Sequence, residues 1–256
     1  MEAYNLYENP YLSFDGKKED ISKIASWAIW ATPAKDNLST KDSIGDLSVF
    51  DESSIKSLLK SNFIFVGLNP SYKGKNRTKN PCCNCNRSGD CDEQKLLKNM
   101  EFPSWHNFHS GCTKRSQDYK LRKIFYEYDF GEKFKGSLII DLLPKKGDQN
   151  AEDVLKSTSP EEIKDGLKKL SVIWERLGRN SVIVPMGRAS FDQFIKYKDL
   201  IPEGMIIRGI RHFSARGYSK FEKAVRQLSE DDCKCTDLII YTGEDVVKVA
   251  RTAKNK

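Results

Sequence analysis

What this chain lacks narrows it first. No apolar run in its 256 residues approaches the ~18 needed to cross a bilayer, so no membrane-spanning helix is expected. The opening M-E-A-Y-N-L-Y-E-N-P has neither the basic start nor the apolar stretch of a secretory signal, and a cytoplasmic location follows as the expectation. Seven cysteines cannot all pair, and without an export signal they read as reduced thiols or metal ligands. Carboxylates are in the minority, 36 against 43 lysines and arginines, and the resulting net charge of +7 suits a polyanionic partner. With 38% apolar and 31% charged residues, the composition is that of a soluble globular protein, long enough for one large α/β domain carrying an insertion.

The most informative stretch that is present is residues 62–71, N-F-I-F-V-G-L-N-P-S. Phe63 to Val66 form a short, wholly apolar, β-favouring run, the signature of a strand buried on both faces of a parallel sheet. Gly67 permits close backbone approach and Pro70 fixes a turn, which holds Asn69 at the carboxyl end of the strand, where open α/β sheets place their ligands. Asn-Pro is also common in turns for backbone reasons alone.

Composition changes sharply after residue 71. Residues 72–115 read as an insertion, polar, basic and dense in cysteine, with Cys82, Cys83, Cys85 and Cys91 close together and Cys112 following. The C-x-x-C pair Cys82/Cys85 has the spacing that lets one turn supply two metal ligands, with Cys91 and Cys112 as the other two and His106 and His109 in reserve. A structural zinc is the expectation, since the segment has no apolar core of its own. An iron–sulfur cluster also uses four thiolates and is the less favoured identity. Trp105 and Phe108 stand among histidines and cations, a mixture that suits base stacking and phosphate contact, although most such aromatics are core residues.

The rest alternates strands and helices. Residues 18–30 are expected to be a helix carrying Trp27 and Trp30, and residues 51–60 a helix leading into the first core strand. A helix with Leu121, Ile124 and Phe125 as its core stripe precedes the strand in residues 136–144, an apolar run broken only by Asp141. A carboxylate there is costly unless it is paired or has a job. Ser159-Pro160-Glu161-Glu162 starts a helix that runs to about residue 177. A strand at 180–185, a helix at 187–197, a strand at 205–210 and a helix at 221–228 follow, and 238–241 is a candidate added strand. The expected architecture is a single three-layer α/β/α domain with a central, mainly parallel four-stranded sheet. Asn69, Asp141 and His212 then lie at strand ends along one rim.

That trio, in that order, resembles the uracil-DNA glycosylase superfamily, and within it the mismatch-specific uracil and thymine DNA glycosylase branch. G-L-N-P-S at 67–71 is similar to the branch's first motif, G-I-N-P-G, and H-F-S-A-R at 212–216 resembles its second, N-P-S-A-R or H-P-S. The segment between them, including V-I-V-P-M-G-R-A-S-F-D-Q-F, is similar as well, so the resemblance spans residues 62–228 apart from the cysteine insertion. Phe213 departs from the usual proline. His212 stands where the branch has asparagine and matches the histidine of other branches.

The resemblance implies a monofunctional DNA glycosylase, a monomer, that flips a nucleotide out of the duplex and hydrolyses its N-glycosidic bond. Asn69 would orient the attacking water and His212 would donate a hydrogen bond to the departing base. Ser71 and Ser214 would hold flanking phosphates, Arg216 would fill the vacated stack, and Asp141 and Phe108 would contact the base. Asp141 adds something specific to this chain. Uracil-removing relatives carry asparagine there, whose amide pairs with both N3–H and O4, whereas an ionised aspartate only accepts. Cytosine offers an N4 amino donor at that edge, so a modified cytosine, hydroxymethylated or glucosylated as in phage defence, is the expected substrate. Uracil or mispaired thymine is the alternative, and a catalytically silent nucleic-acid-binding module is a second.

Overall fold

The computed structural model describes residues 2–29, 52–69, 105, 118–146 and 150–251. In chain order the elements are α1 (Glu2–Glu8), β1 (Tyr11–Phe14), β2 (Lys17–Asp20), β3 (Ala25–Trp27), α2 (Glu52–Leu58), β4 (Phe63–Gly67), α3 (Asp118–Glu127), β5 (Leu138–Asp141), α4 (Ala151–Lys156), α5 (Pro160–Arg176), β6 (Val182–Pro185), α6 (Arg188–Lys196), β7 (Ile206–Ile210), α7 (Tyr218–Glu230), β8 (Leu238–Tyr241) and β9 (Val246–Val249). Strands β3 to β9 form one sheet in the order β3-β5-β4-β6-β7-β8-β9. Its five inner strands are parallel, and β3 and β9 run antiparallel at the two edges. The sheet therefore has seven strands rather than four. The four expected strands are neighbours in it, the candidate strand at 238–241 forms as β8, and the short edge strands β3 and β9 complete it.

The sheet is covered on both sides, which is why β4, β5, β6 and β8 are buried at every position. Alternate residues serve opposite layers. Ile64 and Val66 pack with α5 and α6, whereas Phe63 and Phe65 pack with α3, α7 and the 3₁₀ segment Asp129–Phe134. The second layer is aromatic: Phe65 lies 5.0 Å from Phe125 and 5.7 Å from Phe134, ring centre to ring centre. α5 owes its start to a capping box in which Ser159 and Glu162 satisfy each other's backbone N–H groups. Its stripe of Ile163, Leu167, Leu170, Ile173 and Trp174 is buried. At roughly 1.5–3 kcal/mol per large apolar side chain, that face anchors the helix far more strongly than its cap does. Among the described residues no helix is long and apolar enough to cross a membrane.

The helix expected over residues 18–30 does not form. Asp15 and Gly16 both adopt positive φ (49° and 78°), the conformation of a tight two-residue hairpin loop, and Asp-Gly is a strong signal for it. β1 and β2 pair across that turn, Asp20 then caps a 3₁₀ turn through the Ser22 N–H at 3.0 Å, and β3 joins the sheet edge beside β5. Trp105, one of the two aromatics considered for base stacking, is a core residue. It is buried against Tyr7 and Trp27, and its indole N–H donates to the Tyr7 carbonyl at 3.1 Å.

The final crossover is unusual. Both β6-α6-β7 and β7-α7-β8 step the same way across the sheet, yet α6 packs with Ile207 and Ile240 on one face and α7 with Ile210 and Ile239 on the other. The two units therefore have opposite hands, against a strong preference for one. The α7-to-β8 connection is held by Arg208 of β7, which is fully buried. Its guanidinium pairs with Asp231 and donates to the carbonyls of Asp237 (2.9 Å) and Cys235 (2.8 Å).

Candidate active site

The order β5-β4-β6-β7-β8 reverses direction at β4, so the crevice beyond the carboxyl ends of β4 and β6 is where such sheets bind ligands. β4 and β5 stay paired past their last residues through Leu142 N–H to Gly67 O (2.9 Å) and Leu143 N–H to Leu68 O (2.8 Å). This locks the two chain segments that carry Asn69 and Asp141. Asn69 is half-buried, two residues beyond the end of β4.

Asp141 closes β5 directly beside Gly67 and is only 5% exposed. A Cβ at position 67 would sit 2.0 Å from its Oδ1, so the missing side chain of Gly67 is what admits the carboxyl group. A second glycine does the same for the imidazole. Gly187, at φ 92° after β6, donates its N–H to Ile210 O at 2.8 Å, and a Cβ there would come within 3.0 Å of His212 Cβ. Since neighbouring strands lie about 4.8 Å apart, β4 and β7 flank a gap of roughly 10 Å. The strand between them, β6, ends at Pro185 and is followed by Met186, which bridges Ile210, and then by Gly187.

His212 follows β7 and stacks on Phe213 at 4.3 Å. Its Nδ1 accepts the Ser214 N–H at 3.1 Å and lies 2.6 Å from the Ser214 hydroxyl. An Nδ1 that accepts a backbone N–H must carry the lone pair, so a neutral ring has its proton on Nε2. Ser214, expected from the resemblance to touch a phosphate, thus also sets the tautomer of the histidine. Phe213, in place of the usual proline, is buried and packs edge-on to Phe221. Arg216 is exposed, and Arg211 donates to its carbonyl at 2.7 Å. Lys145, Arg188 and Lys220 likewise follow the carboxyl ends of β5, β6 and β7 in the chain, Arg188 paired with Asp192 and Lys220 with Glu244.

Beside Asp141, between the ends of β4 and β5 and the first half of α5, lies a cavity of about 150 Å³. Its floor is apolar. Its mouth carries Lys146, bonded to Glu162 at 3.0 Å, and Lys169, which bridges both Glu19 oxygens at 2.9 Å and Asp165 at 3.1 Å. Burial would lower the Lys169 pKa, but the two carboxylates outweigh it and hold the ammonium above its usual value. Neither this cavity nor Gly187 was read from the sequence, although a glycine directly after a buried strand was the available signal for the second.

Ser71, Phe108, Cys82, Cys85, Cys91, Cys112, His106 and His109 lie outside the described residues. Among the described residues no three His, Cys, Asp or Glu side chains are grouped to hold a metal. Comparisons with protein-family models, curated proteins and solved structures return no match.

Proposed function

We propose that the protein is a DNA glycosylase, a member of the uracil-DNA glycosylase superfamily that works as a monomer and excises a modified cytosine. The observation that carries the reading is the rim itself: an amide, a carboxylate and an Nε2–H imidazole stand at or just beyond the ends of parallel strands, and two glycines make room for the carboxyl and the imidazole.

In this reading a nucleotide swings out of the duplex and its base enters between Asn69 and His212, with Asp141 accepting from N4–H. The C1′–N1 bond breaks and its electron pair leaves with the base. As negative charge grows on O2, the His212 Nε2–H donates to it. Asn69 orients a water whose oxygen bonds to C1′. Because the sugar carries most of the positive charge at that point, the water needs position more than it needs a strong base, and its proton passes to solvent afterwards. The exposed cations around the rim supply sequence-independent phosphate contact. The four thiolates Cys82, Cys85, Cys91 and Cys112 make a donor set that suits a tetrahedral structural zinc, and metal analysis should return about one zinc per chain.

The test is a panel of oligonucleotides carrying cytosine, its 5-substituted forms, uracil or mispaired thymine, scored for released base by mass spectrometry. Release from a 5-substituted cytosine, with cytosine itself spared, is the expected result. Release from uracil alone would move the substrate to the alternative, and DNA binding without any release would leave only a binding module.

A further inference from the structure

The cavity beneath α5 opens on a different face of the sheet from the candidate active site. Val66, Ile140 and Leu142 pack toward α5, whereas Phe65 and Ile139 serve the other layer, and alternation along β5 puts the Asp141 carboxyl with Ile139. The cavity is thus a site of its own. Protein interiors hold few voids larger than a water molecule, yet about 150 Å³ lies open here among Ile24, Val66, Ile140, Leu142 and Leu170, all of them buried. That is room for roughly ten waters, or for one ligand of about ten non-hydrogen atoms. α5 already touches the strand end at Gly166, where a Cβ would meet the Leu142 carbonyl oxygen at 2.3 Å, so the helix cannot settle deeper and close the space.

The lining narrows what that ligand is. Its walls are mostly aliphatic, so a sugar or a phosphate group would lose hydration there without replacement. At the mouth, three carboxylates (Glu19, Glu162 and Asp165) stand against three ammoniums (Lys145, Lys146 and Lys169), which leaves no net charge to receive an ion of either sign. Hydrogen-bonding capacity is less even. Lys169 commits its three N–H donors to the two Glu19 oxygens, both at 2.9 Å, and to Asp165 at 3.1 Å. Glu19 and Asp165, with several lone pairs on each carboxylate, keep spare acceptor capacity. We propose that the cavity binds a small, uncharged, chiefly apolar molecule that carries one hydroxyl or N–H and donates it to Glu19 or Asp165. This site does not rest on the glycosylase reading.

The test titrates the full chain with indole, with indene, which has nearly the same shape and no N–H, and with the anion indole-3-carboxylate. Calorimetry gives the affinities and NMR the backbone amides that shift. Indole is expected to bind at least about tenfold tighter than indene and at least about 100-fold tighter than the carboxylate, with the largest shifts at Val66, Leu142 and Leu143. Glu19→Gln combined with Asp165→Asn should bring the indole-to-indene ratio down to about threefold or less, because amides accept more weakly than carboxylates. Glu161→Gln, on the same helix but exposed and paired with Lys164, should keep the ratio. Leu170→Phe and Ile24→Phe each fill the space, and whichever folds should weaken indole binding at least about tenfold. No indole binding at millimolar concentration, equal affinity for indene, preference for the carboxylate, an unchanged ratio in the charge-removed double variant, or full affinity in a folded space-filling variant would each overturn the site. None of these outcomes bears on base excision, so the glycosylase reading stands or falls separately.

Discussion

The middle of β7 and the segment beyond its carboxyl end make an instructive pair. At mid-strand Arg208 is buried with every direction of its guanidinium answered by the protein: Asp231, the Ile207 and Asp237 carbonyls, and Cys235. Beyond its carboxyl end, His212 is half-buried, held on Nδ1 by Ser214 and seated beside Gly187. Both are polar groups fixed by neighbours. The first network closes on itself in the core and holds the α7-to-β8 connection in place; the second lies at the partly exposed carboxyl rim of the sheet. A buried charge is therefore better judged by whether its surroundings close around it than by its burial.

The comparison can be broken in order of effect. Asn69→Ala and His212→Ala should each lower excision by at least about 100-fold while leaving the urea midpoint close to wild type, since both lie on the open rim. A loss of folding instead would make the rim structural. Arg208→Met should do the reverse, costing about 3–5 kcal/mol in urea unfolding by stranding Asp231, with excision per folded molecule retained. Gly67→Ala joins the two behaviours. Its new methyl meets the Asp141 carboxyl, so a loss of about 1–3 kcal/mol and a collapse of excision should appear together.

A smaller effect separates the two networks by pH. Burial would raise the Asp231 pKa, but hydrogen bonds from Tyr241 and the Cys233 N–H, together with Arg208, overcome it and hold the carboxyl below its usual range. A depressed folded-state value means stability that is present above the unfolded pKa of about 3.9 and lost as pH falls through the folded one. The wild type should therefore lose an increment of melting temperature below about pH 4 that Asp231→Asn, already less stable at neutral pH, does not lose. Smallest of all, Arg211→Ala and Arg216→Ala should each reduce the salt slope of DNA binding by about one, without altering which base is released. An unchanged slope would place the DNA elsewhere.

How much was legible follows from where the information lay. β4, β5 and β6 stood out because a strand buried on both faces must be apolar throughout, and α5 because its cap and its stripe agree. The edges were harder. β3 is three residues long, and residues 18–30 were misread because Trp27, Ala28 and Ile29 are buried for tertiary reasons while the Asp15-Gly16 turn that decides the register lies just upstream. At the site, Asn69, Asp141 and His212 were visible as polar residues at the ends of apolar runs. Neither the glycines that make room for them nor the cavity could be seen that way, because both are relations between strands.

The order of residues alone determined the alternation of strand and helix, the apolar centre of the sheet and the three polar strand ends, since each depends on neighbours within a few positions. Only the folded chain decided that Gly67 faces Asp141, that Gly187 faces His212, that Ser214 fixes a tautomer, and that α7 crosses the sheet on the side opposite α6. Those facts depend on which strands become neighbours and on which face each helix settles. Such choices are made by packing between segments far apart in the chain, and no local pattern records them.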